Sequence, residues 1–221
     1  MKIKHTGVCL PVLLILLSGS LSFGQMRERH ETSASRVVWH FVARSLVNPS
    51  NGTSQVVGYF TDLEGVSGSL FYGAPSESTA FLTLRTDLFT LTPLPINGNI
   101  PVSVPGPVTL HLYFNPTPCN SWNNPDTFSS GQEIARFNRA ANLFFSVGTT
   151  SFDIFSLDLL FSQDFTINGQ EVNLGKIVPH GVTSNNTGST ISVAGPENML
   201  AFPFVATGIA IGNDAKSADE N

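Results

Sequence analysis

From Gln132 to Gly175 the chain alternates between apolar and polar positions almost without interruption. The odd positions from Ala135 to Val147 read Ala, Phe, Arg, Ala, Leu, Phe, Val, so that only Arg139 breaks an oily set. A period of two places successive side chains on opposite faces of a strand, and this segment therefore predicts a long strand with one apolar face. Beyond Gly148-Thr149-Thr150, one side carries Phe155, Leu157, Leu159 and Phe161 and the other Ile154, Ser156, Asp158 and Leu160, which predicts an antiparallel partner. Phe165-Thr166-Ile167 and Glu171-Val172-Asn173 flank Asn168-Gly169. That pair tolerates the two positive φ values of a type I′ turn and predicts a hairpin. Ser130-Gly131-Gln132-Glu133 also has the spacing of a helix capping box, with Ile134, Phe137 and Ala141 on one helical face. The alternation runs further than that face, and a strand is the expectation.

The same pattern marks the earlier chain. Val37, Trp39, Phe41 and Ala43 form the oily side of a first strand; Gln55–Thr61, Ser69–Tyr72 and Thr79–Arg85 predict three more. Phe89–Leu91 either extends the fourth or stands alone, and Val108–Phe114 has the cleanest alternation of all. Pro93 to Pro107 carries five prolines. Proline removes ladder donors, so this stretch predicts an edge or a crossover within one domain. After the hairpin come a turn at 177–182, a polar loop at Ser184–Thr187, a strand near Thr190–Val193 and a last apolar run, Met199–Ile211. Many short strands with frequent turn signals predict an all-β single domain, an antiparallel β-sandwich or partly open β-barrel of about ten strands, over 37–212.

The ends have a different composition. Lys2 and Lys4, the apolar run Val8–Leu17 and the small residues up to Gly24 have the layout of a secretory signal peptide over 1–24. A bilayer span needs roughly 20 apolar residues, which predicts cleavage rather than a membrane span, and a secreted or periplasmic location. Residues 25–36 read as a disordered polar arm and 213–221 as a polar tail. Losing 1–24 removes two lysines and no acid, so the net charge moves from −5 to −7. That balance excludes a nucleic-acid partner, which needs clustered Lys and Arg. Of the cysteines, Cys9 leaves with the leader and Cys119 remains, without a disulfide partner; with no basic neighbour it reads as a buried small residue.

Candidate chemistry is sparse. No His-x-His or Cys-x-x-Cys spacing is present, so neither a metal nor a cofactor is expected. No Gly-x-Ser-x-Gly elbow marks a nucleophile. His40 and His111 lie on the more polar faces of their strands, where they could meet beside Asp158 in an acid/base site. The better candidate is the loop 115–131, long and without either period. Its Trp122 supplies a flat face, while Asn120, Asn123, Asn124 and Asp126 supply donors and acceptors suited to a glycan, peptide or protein ligand. The functional expectation is an exported, non-catalytic binding, surface or matrix module. The alternatives are a secreted glycan-active enzyme, for which the chain offers many carboxylates, and a small outer-membrane β-barrel.

Overall fold

The computed structural model of the protein describes residues 36–94 and 102–210. The leader, the polar arm up to residue 35 and the tail of the sequence reading lie outside the described residues, while Arg36, read as the end of the arm, is the first residue of a strand. The strands are β1 Arg36–Val47, β2 Thr53–Leu63, β3 Leu82–Thr86, β4 Phe89–Pro93, β5 Val102–Pro105, β6 Thr109–Phe114, β7 Gln132–Val147, β8 Thr150–Ser162, β9 Phe165–Ile167, β10 Gln170–Val172, β11 Val182–Ser189, β12 Val193–Ala194 and β13 Leu200–Ala210.

These strands close a barrel. β3 pairs with β6 and β4 with β5, while Asp87 N–H donates to Thr109 O and Gly106 N–H to Thr90 O across the break, so the four segments make one bent two-stranded ribbon. Counting each bent strand once, an eight-stranded antiparallel meander results, in which β13 returns to pair with β1. Closure leaves none of the eight barrel strands as an edge among the described residues. The choice between sandwich and partly open barrel is thus resolved as a closed barrel, and the described parts of the proline-rich stretch belong to β4 and β5, which pair antiparallel within it.

Two bulges decide which side chains enter the lumen. On β7, Arg139 pairs with Leu157 but Ala141 with Ser156, which makes Ala140 an extra residue. One extra residue inverts the parity of everything beyond it. Phe144 and Ser146 therefore face inward, while Leu143 and Val147 are exposed, correcting the single oily face expected along the odd positions. On β8, Leu160 is extra in the same way, and Phe161 lies outside, under the guanidinium of Arg136 at 5.8 Å.

Other expectations are corrected as well. Ser69–Tyr72 is not a strand: Phe71 makes a single bridge to Ala80. A 3-10 turn occupies Glu77–Thr79, so β3 begins only at Leu82. Ser184–Thr187 is no loop but the middle of β11, paired on both sides, with Ser184 and Asn186 buried in the barrel. Near Thr190–Val193 only the two-residue β12 forms.

One half of the barrel is packed solid. Trp39, Phe60 and Phe137 meet edge to face at its centre, with ring centroids 5.8 and 5.7 Å from the indole. The β9–β10 hairpin turns at Asn168 (φ 53) and Gly169 (φ 75), as the Asn-Gly pair requires. Its buried Phe165, Ile167 and Val172 join the core cluster together with Leu174 of the one-turn helix Leu174–Ile177. The Asn168 amide donates to Ser67 O and Ser69 O, which ties the hairpin to the segment after β2.

Candidate functional site

Toward the other end the inward positions become small or polar. Ser45 on β1, Ser146 on β7, Ser151 on β8 and Gly188 on β11 stand where the packed half has Trp39, Phe137 and Leu157. Small side chains cannot fill an eight-stranded lumen, which is just wide enough to be filled by large ones or to hold one small ligand. A cavity of about 360 Å³ results. Its walls are mostly apolar, with Phe41, Phe89, Phe144, Phe155 and Phe204 among them.

Among the described residues, two charged side chains line this cavity. Arg139 is the last inward residue before the β7 bulge, and its guanidinium carbon lies 4.8 Å from the Phe155 ring and 5.2 Å from the Phe89 ring. Such aromatic faces attract a cation and leave its N–H groups directed at the edges. Asp153 stands on β8, two residues before Phe155 and on the same face. The Asn186 amide donates to Asp153 Oδ2 at 3.3 Å, and Ser184 Oγ donates to Asn186 Oδ1 at 3.2 Å. Asp153 Oδ1 is buried with no hydrogen-bond partner, as are the amide atoms of the neighbouring Asn142.

Burial dominates the electrostatics. It pushes the Asp153 carboxyl up to about 6, against the positive charge of Arg139 and the amides of Asn186 and Asn142, which pull it down. Burial also lowers the Arg139 guanidinium, and Asp153 opposes that shift. The cavity therefore holds a carboxylate that ionises near neutral pH and is incompletely solvated by the protein. Such a group can accept a hydrogen bond from a bound molecule.

The residues singled out in the sequence lie elsewhere. The segment 115–131 covers the outer wall of β1–β3, not the barrel mouth. Phe128, fully buried, packs with Leu46 and Val57, and its carbonyl accepts from Thr83 Oγ1 at 2.7 Å. Trp122 is half-buried: its ring centroid is 4.9 Å from that of Phe128, and Arg44 sits over it at 4.3 Å. A ligand stacking on that indole would have to displace Arg44. Asn120 is buried and donates to Glu77 O and Ala80 O, each at 3.0 Å, which makes it a brace for the Glu77–Thr79 turn. Asn123 and Asn124 are exposed, and Asp126 pairs with Arg85 at 2.7 Å. Cys119, expected to be buried, is exposed on this loop.

His40, His111 and Asp158 are not brought together. His40 bonds Thr207 Oγ1 from β1, and Asp158 pairs with Asn138 on β7. His111 on β6 lies 2.6 Å from Glu133 Oε1. Glu133 is also gripped by Arg136, at 3.0 and 2.7 Å, and this grip holds its carboxyl below the usual range. Among the described residues no group of three His, Cys, Asp or Glu has metal-site geometry.

The sequence signal that reaches the cavity is a charge on an oily face. Arg139 is the one interruption of the odd positions from Ala135 to Val147 on β7, and Asp153 shares the parity of Phe155 and Leu157 on β8. No family model matches the chain, and neither a curated protein nor a solved structure is similar to it.

Proposed function

We propose that the protein is an exported, non-catalytic binding protein that holds one small, largely apolar molecule in the open half of its barrel. The observation that carries this reading is the cavity itself. It is about 360 Å³, walled by aromatic rings and supplied with a few convergent polar groups, which is the usual make-up of a small-molecule site. Export rests on the leader-like pattern of residues 1–24. A membrane barrel has a polar interior and an outer band that is apolar throughout. Here the lumen is lined by aromatic rings, and the outer wall sets exposed His40, Asp62 and Asp158 beside exposed Leu143, Val147, Ile154 and Val205.

A second reading, proton-transfer catalysis in the same cavity, is favoured by the burial that raises the Asp153 pKa to about 6. Glycoside hydrolysis is less well supported. It uses two facing carboxyls, and among the described cavity residues Asp153 is the one acid.

The test is a fluorescence titration of the mature chain with N-phenyl-1-naphthylamine, a neutral apolar probe, beside Ser146→Phe and Trp122→Ala. The expected result is saturable binding of one probe per chain, lost in Ser146→Phe because the ring occupies the cavity and retained in Trp122→Ala. Binding that survives Ser146→Phe but disappears in Trp122→Ala would return the site to the loop.

A further inference from the structure

We propose that the molecule held in the barrel is neutral and carries a hydroxyl group, alcohol or phenol, that docks between the carboxylate of Asp153 and the guanidinium of Arg139. This inference rests on the cavity being a ligand site and adds the chemistry of its occupant.

Asp153 is under-satisfied. The Asn186 amide donates to it at a long 3.3 Å, and Oδ1, beside the Asn142 amide, has no hydrogen bond of normal geometry. A buried acceptor without a donor is costly, and a carboxylate turns easily about its last torsion to meet one that arrives. Arg139 is held by the rings of Phe155 and Phe89, so its N–H groups remain available to an acceptor at the cavity wall. A hydroxyl is the smallest group that offers both functions, since its O–H donates to the carboxylate while its oxygen accepts from the guanidinium.

Charge selects among the alternatives. With both groups ionised the pair has no net charge, so a ligand ammonium would meet Arg139 and a ligand carboxylate would meet Asp153, each unfavourably in a low-dielectric site. A neutral hydroxyl meets neither penalty. The aromatic walls require the remainder of the molecule to be apolar.

The site also has a pH signature. Arg139 on β7 and Asp153 on β8 are the titratable groups among the described cavity residues; β1 and β11 contribute Ser45, Asn186 and Ser189. Below about pH 6 the Asp153 carboxyl takes up a proton, and a charge-assisted hydrogen bond becomes an ordinary one of roughly half its strength.

The experiment is displacement of N-phenyl-1-naphthylamine by 2-naphthol, 2-methylnaphthalene, 2-naphthoate and 2-naphthylmethylammonium, which share one ring system and differ in the group presented. For the wild-type chain at pH 7.5, 2-naphthol should bind roughly 10- to 100-fold tighter than 2-methylnaphthalene. That advantage should shrink several-fold at pH 5 and disappear in Asp153→Leu. The pH comparison needs no variant, so it decides the matter even if Asp153→Leu does not fold.

Equal affinity of the hydroxyl and methyl compounds for the wild type would overturn the anchor and leave the apolar site standing. A preference for the ammonium or the carboxylate would overturn it in favour of ion recognition. If none of the four displaces the probe and the probe itself fails to bind, the ligand-site reading falls as well.

Discussion

Replacing Trp39 by alanine is expected to destabilise the protein by about 3–5 kcal/mol, the range for deleting a buried aromatic from a close-packed core. Trp39 is fully buried and lies at the point where the packed half of the barrel converges. Phe60 and Phe137 meet it edge to face, and the neighbouring strand β13 makes room for it with Gly208, its register partner, where even a methyl group would collide with the indole. No neighbour can swing into the vacated space without breaking its own packing, so the void remains and the cost lies near the top of the range. Urea unfolding followed by circular dichroism measures it. A loss below about 1 kcal/mol would mean that this half of the barrel relaxes freely, contrary to its observed packing. Gly208→Val should be damaging for the complementary reason, overcrowding instead of a void.

The second large effect concerns Arg139. Arg139→Met keeps most of the side-chain bulk but withdraws the charge that opposes the desolvation of Asp153. Leaving a buried carboxylate uncompensated costs roughly 3 kcal/mol at pH 7.5. The signs follow from linkage. The folded-state value of about 6 exceeds the ordinary 3.8, so the native protein holds this proton more tightly than the unfolded chain. Stability therefore falls as pH rises from about 4 to above 6, by on the order of 3 kcal/mol from this group in the wild type. Arg139→Met should raise the folded-state value further, steepen that fall and carry it to higher pH. Adding Asp153→Asn should abolish the slope and recover most of the loss. Melting temperatures of the wild type, the single variants and the double variant at pH 5 and pH 8 give the full cycle. If Arg139→Met costs the same at both pH values, the two groups are not coupled through the cavity wall.

Much of the barrel was legible in the chain. The alternation in β1, β6, β7 and β8 places each strand within a few residues, and Asn168-Gly169 locates its hairpin, because period two and turn chemistry are local properties. The bulges at Ala140 and Leu160 were not legible. A bulge follows from the register of two strands against each other, and neither alanine nor leucine marks one. Their consequence was large, for they turned Phe161 outward and exchanged the oily face in the second half of β7. β11 was hidden for another reason: Ser184, Asn185 and Asn186 have loop composition, yet pairing on both sides satisfies their backbone, and the lumen has polar work for Asn186. The site failed to appear because loops attract attention as carriers of function. Trp122 and Asn120 proved to be braced against the outer wall, while Arg139 and Asp153 stood in plain view as charges on apolar faces.

The account turns on where a small apolar molecule sits, and intermolecular nuclear Overhauser effects locate it most directly. With N-phenyl-1-naphthylamine bound to the isotope-labelled mature chain, the probe's ring protons should show contacts to Phe41, Phe89, Phe144 and Phe155 inside the open half of the barrel. Contacts confined to Trp122, or to Leu143 and Val147 on the outer wall, would contradict the assignment of the lumen as the binding site.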